Sequence, residues 1–133
     1  MAGLLFTVTR REKENDLIIV YGKTCIGKLK GIWKGRDMPE VMSYHIELSF
    51  GDIERKEVTI NDTVENADMK IECDKVIFTA ECEDIDDDVY YMRFSYDGLE
   101  MLCIENDDHT IKKGDIVSFS ILFREIGIYP YTI

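Results

Sequence analysis

Hydrophobic and polar residues alternate with a period of two along most of this chain. The clearest case is residues 41–50 (VMSYHIELSF). Tyr44, Ile46, Leu48 and Phe50 fall on one face; Ser43, His45, Glu47 and Ser49 fall on the other. Such alternation marks a strand with one face in a core. The same pattern sets Val76, Phe78 and Ala80 against Ile77, Thr79 and Glu81, and it recurs over residues 69–73 (MKIEC). Residues 89–96 (VYYMRFSY) and 116–123 (IVSFSILF) add aromatic and β-branched content, which suits strands. Residues 17–21 (LIIVY) are an unbroken apolar run, as expected of a strand covered on both faces.

The intervals between these runs read as turns. Residues 10–16 (RREKEND) form a polar turn of mixed charge, and Gly22-Lys23-Thr24 turns the chain again. Gly27, Gly31 and Gly35 punctuate the next segment and argue against a helix there. Residues 35–40 form a loop fixed by Pro39, Gly51-Asp52 is a turn, and residues 56–60 (KEVTI) are a short strand. A further turn follows at residues 61–63, with at most a helical turn over 64–67. Asp97-Gly98 is a hairpin signal of the kind a type I′ turn requires, with residues 99–104 as the returning strand. Lys112-Lys113-Gly114-Asp115 makes a tight turn, and Pro130 restricts the C-terminal segment to an edge strand. With about nine or ten strands at this spacing, the expected fold is all-β. An antiparallel β-sandwich comes first and a partly open β-barrel second. Residues 1–133 read as one domain, with no long internal repeat.

Composition agrees with a globular protein: 45% of residues are hydrophobic and 11% aromatic, enough for a core without disulfide or metal staples. Cys25, Cys73, Cys82 and Cys103 lie far apart with no C-x-x-C, residues 1–10 do not read as a signal peptide, and no apolar run reaches membrane length. Cys73, Cys82 and Cys103 fall in or beside strand patterns, so the thiols are expected to be reduced and mostly buried, in a cytoplasmic protein.

Charge changes the picture more. The net charge is −11, but residues 1–36 hold eight Lys/Arg against three Asp/Glu, a balance of +5, which leaves −16 for the rest. An acidic body argues against general nucleic-acid binding, because phosphate contacts need a positive surface. Six carboxylates (Glu81, Glu83, Asp84, Asp86, Asp87, Asp88) fall within eight residues and are expected to form an acidic corner projecting into water. Residues 105–109 (ENDDH) make a second acidic corner.

Candidate chemistry is sparse. Gly22-Lys23-Thr24 lacks the upstream glycine and following helix of a P-loop. Asp84, Asp86 and Asp88 are spaced like the start of a calcium loop, but Val89 and Tyr90 follow where a glycine is needed, and position 95 is a serine rather than a bidentate glutamate. His45 and His109 are the only histidines and have no zinc-ligand pattern around them. No cysteine sits at a strand-to-helix turn that would activate it. Trp33 lies among Lys28, Lys30, Lys34 and Arg36, a basic-aromatic cluster that could hold an anion or a sugar ring, although a core tryptophan with flanking solvated lysines is the commoner arrangement.

These features predict a non-catalytic acidic protein with no cofactor and no metal. Its expected partner is a protein with a basic surface or cleft, which it inhibits in the manner of a toxin-immunity protein or a nucleic-acid mimic. Nucleic acid and membrane are not expected partners. Asp84, Asp86, Asp87, Asp88, Asp107 and Asp108 would supply charge, and Tyr90 and Tyr91 apolar anchors. The alternative is a ligand-binding β-sandwich, for carbohydrate or another small molecule, with Trp33 and the tyrosines as platforms.

Overall fold

In a computed structural model, residues 3–61, 66–95 and 98–131 are described, and they contain twelve strands and two 3₁₀ turns. Strands β1 (Leu4–Glu14), β2 (Leu17–Thr24) and β3 (Gly27–Trp33) form an antiparallel meander. β4 (Ser43–Ser49) pairs antiparallel with β1. The last strand, β12 (Gly127–Pro130), pairs antiparallel with β4 and parallel with β3. The circuit β1-β2-β3-β12-β4-β1 is therefore a closed five-strand barrel.

The middle of the chain repeats that path. β8 (Lys75–Asp86), β9 (Val89–Ser95) and β10 (Gly98–Glu105) form a second meander, and β11 (Ile116–Leu122) pairs antiparallel with β8. The fifth element is one segment in two pieces. β5 (Ile53–Glu54) runs parallel to β10; the 3₁₀ turn Arg55–Glu57 follows; β6 (Val58–Asn61) pairs antiparallel with β11. The circuit β8-β9-β10-β5/β6-β11-β8 has the connectivity of the first barrel. In each half, the segment following the fourth strand crosses to complete the other half's circuit. The barrels thus exchange their fifth strands.

The expectation of no internal repeat is corrected by this topology. The repeat is one of path, carried by which positions face inward and hardly by residue identity. Even the irregularities correspond. Pairing of β1 with β2 shifts between Val8 and Arg10, and pairing of β8 with β9 shifts between Cys82 and Asp84.

Two turn expectations also change. Residues 10–14 continue β1 as strand, and the turn is reduced to Asn15-Asp16, with Asn15 in the left-handed region (φ 56°). Residues 81–86 likewise continue β8, leaving Asp87-Asp88 as the turn, with Asp87 at φ 60°. Asn and Asp tolerate this conformation better than most residues. The first hairpin extends past its core, and in the second Ile85 and Tyr90 stay packed on the core while the carboxylates meet water, so the charge does not oppose the strand. Gly22-Lys23-Thr24 belongs to β2, where Gly22 lies against the Phe6 ring, so near that a Cβ would stand 2.5 Å from it. The Asp97 half of the expected Asp97-Gly98 turn, and most of residues 61–67, lie outside the described residues.

One contiguous core runs through both barrels. Leu4, Phe6, Val8, Val20, Leu29 and Ile46 are buried in the first barrel, and Phe78, Ala80, Met92, Leu102, Val117 and Phe119 in the second. Phe50 leaves the end of β4 and joins an aromatic cluster of the second barrel, 5.0 Å from Phe78 and 5.6 Å from Phe119. The added strand β7 (Asp68–Glu72) pairs with β8 and touches β3 at one parallel bridge, Gly27 to Met69. Gly27 has φ 142°, and a Cβ there would overlap the Met69 carbonyl, so the bridge requires glycine. Among the described residues no helix is long and apolar enough to cross a membrane.

Candidate functional site

The acidic surface lies on the β8–β9 hairpin. Asp84 is opposite Tyr91, and Asp86 is opposite Val89 across a tip formed by Asp87 and Asp88. Glu83 is the extra residue of the bulge and meets Arg93 at 2.7 Å. Asp84 accepts a hydrogen bond from the Ile85 amide at 2.9 Å. Among the described residues, Asp84, Asp86, Asp87 and Asp88 form no ion pair. All four are exposed, and Tyr91 is half-buried beside them. Among the described residues no group of three or more His, Cys, Asp or Glu side chains is arranged to hold a metal.

The second corner turns one carboxylate, Asp107, inward and leaves Asp108 exposed. Tyr90 is only 1% exposed, and its hydroxyl donates to Asp107 at 2.5 Å. Burial, then this hydrogen bond, raises the Tyr90 pKa. The Asp107 side chain is 4% exposed and also accepts from the His109 amide. Asp108 accepts from the Thr110 hydroxyl at 2.6 Å and from Arg55 at 3.0 Å. The hydrogen bonds from Thr110, ahead of the Arg55 charge, hold its carboxyl below the usual range. Asp107 is thus held within the chain and Asp108, paired with Arg55, stays exposed, whereas Tyr90 is a core residue and not an anchor open to a partner. Strand parity alone could have shown this, since Tyr90, Met92 and Phe94 share the inward face of β9.

Trp33 is buried as well. Its indole N–H donates to the Asp37 carbonyl at 2.9 Å, and its ring meets Tyr44 edge-on at 5.0 Å. It offers no platform to a ligand. A half-buried cation–aromatic group on this barrel is Arg10 and Lys30 over the Tyr21 ring, at 3.9 and 4.7 Å. Of the cysteines only Cys82 is buried, so the expectation of mostly buried thiols fails for Cys73 and Cys103. Burial, with Asp115 next, pushes the Cys82 thiol up to about 11, away from a reactive thiolate.

One residue that the sequence did not single out is Glu100. It lies on β10 in phase with Leu102 and Ile104, faces inward and is 6% exposed. Its Oε2 accepts the Leu48 amide of β4 at 2.5 Å. This amide lies past the N-terminal end of β1, whose pairing with β4 stops at Ile46. Burial pushes the Glu100 carboxyl up to about 8; the Leu48 hydrogen bond opposes that rise and Glu47 adds to it. Glu100 lines a cleft of about 430 Å³ between β4 and β10, where the two barrels meet. The surrounding surface carries exposed Leu99, Met101 and Tyr129.

Comparison of the chain with protein-family models, with curated proteins and with solved structures found no match.

Proposed function

We propose that this is a non-catalytic acidic binding protein, which docks on a basic surface of another protein and inhibits it, as a toxin-immunity protein or a nucleic-acid mimic does. The observation that carries this reading is a difference between equivalent hairpins. In the first barrel, residues 10–16 carry three basic and three acidic side chains, a balance of zero. In the second, residues 81–88 carry six acidic side chains and no basic one. Both hairpins fold to the same plan, so the fold does not require the carboxylates. Concentrated like charge costs stability through repulsion and speeds encounter with an opposite surface. Asp84, Asp86, Asp87 and Asp88 are the contact charges in this account, with Tyr91 as the adjacent aromatic. The intracellular setting inferred from the cysteines belongs to the same proposal.

The test is a capture from native host lysate at low salt, run in parallel with the intact protein and with Asp86→Ser/Asp87→Ser/Asp88→Ser. The expected result is one basic protein that elutes as salt rises, is inhibited by the intact protein and is lost from the triple variant. A partner held equally by both forms would remove the hairpin from the account. The small-ligand alternative loses Trp33 as a platform through its burial.

A further inference from the structure

The two barrels allow a residue-by-residue comparison at the seam. In the first barrel the cross-strand row after the bulge position runs Val8, Gly22, Leu29. In the second it runs Cys82, Met92, Glu100. Glu100 therefore stands where its twin has Leu29, a fully buried leucine. The barrel closes with an apolar residue at this position, so a carboxyl there calls for another explanation. Capping the Leu48 amide uses one oxygen, Oε2. Among the described residues, Oε1 makes no hydrogen bond and is not sealed from the cleft.

We propose that the cleft between β4 and β10 binds a small organic ammonium ion with an apolar body, its charge set against the free oxygen of Glu100. The cleft is within the size range of small-molecule sites. Its walls carry Leu99, Met101 and Tyr129 for the apolar part, with no Lys or Arg among its lining residues. Glu47, the second carboxyl of the wall, accepts the Tyr131 hydroxyl at 3.0 Å and adds negative potential. An arriving cation supplies the charge whose absence keeps Glu100 protonated, so binding releases a proton from the carboxyl. This site is separate from the acidic hairpin and does not depend on it.

The experiment is a titration of the ¹⁵N-labelled full chain with phenethylammonium chloride, followed by amide shifts, with 2-phenylethanol as the neutral counterpart. Glu100→Gln is run beside it, because glutamine still accepts the Leu48 amide but cannot carry the charge. The expected result is saturable shifts centred on Leu48, Glu100 and Met101, with the alcohol and the Gln variant each weaker by about tenfold or more. Absence of saturable shifts overturns the proposal. So does equal binding of ammonium and alcohol, or undiminished binding by a folded Gln variant.

Discussion

The two barrels follow the same path with different side chains. The first is built from basic strands: Arg10 and Lys30 flank the Tyr21 ring on its outer face, and its long hairpin is charge-balanced. The second has an aromatic interior, with Phe78 stacked on Phe119 at 5.3 Å and Phe94 edge-on to Phe78 at 5.7 Å, and its long hairpin is wholly acidic. Features present in both barrels, such as the bulge and the crossing fifth strand, belong to the fold. Features present in one alone, the acidic hairpin and Glu100, mark where function is to be sought. The −11 net charge conceals this division, because one barrel partly cancels the other.

The strongest way to break the comparison is through the shared core. Phe78→Ala should cost about 3–5 kcal/mol, because it removes a fully buried ring from the aromatic cluster. Because the fifth strands are exchanged, the loss should lower the unfolding midpoint of first-barrel amides as much as second-barrel ones in a urea titration.

Glu100 sharpens the comparison through pH. Its folded-state pKa of about 8 lies above the ordinary 4.5. The folded protein therefore holds a proton that the unfolded chain releases between these values. The contribution is fully present below pH 4.5 and is lost as pH rises to about 8, on the order of a few kcal/mol. Glu100→Gln should flatten this decline and leave the variant more stable than the natural protein at pH 8, as measured by thermal melts across the range. An unchanged slope would mean that the carboxyl titrates normally.

Tyr90→Phe probes the hydrogen bond that ties the second barrel's core to Asp107 of the 105–109 corner. Loss of a buried bond to a charged acceptor should cost about 1.5–3 kcal/mol and free Asp107. Chemical denaturation would show it. The smallest effect on stability is expected at the hairpin tip. Asp86→Ser/Asp87→Ser/Asp88→Ser removes exposed charges that have no ion pair among the described residues, so the melting temperature should stay the same or rise slightly. Partner association should nevertheless slow and lose salt dependence.

Most strands were legible in the sequence because their inward faces alternate with outward polar residues. β4, β9, β10 and β11 lie within a residue or two of where alternation puts them. The extensions of β1 and β8 were not legible. Dense charge reads as a turn, yet a hairpin keeps its ladder where its charged side chains all meet water, even when, as in the second, Ile85 and Tyr90 still face the core. The repeat was hidden because barrel closure fixes inward parity and not identity; the faint trace is Phe50-x-x-Ile53 after β4 and Phe123-x-x-Ile126 after β11. At the acidic corners, charge was visible but its commitment was not. The contacts that occupy Asp107 and Asp108 come from Tyr90 and Arg55, which are distant in sequence. Glu100 was passed over because Leu99, Met101 and Cys103 on the opposite face are equally apolar, so the strand alone does not say which face is inside.

The central structural claim is that exchanged fifth strands make the two barrels one unit. Urea unfolding followed residue by residue by ¹⁵N NMR tests it directly. Amides of Phe6, Val20 and Leu29 in the first barrel should lose native intensity at the same midpoint as those of Phe78, Met92 and Phe119 in the second. Two separated midpoints, with one barrel native while the other is unfolded, would contradict the exchange.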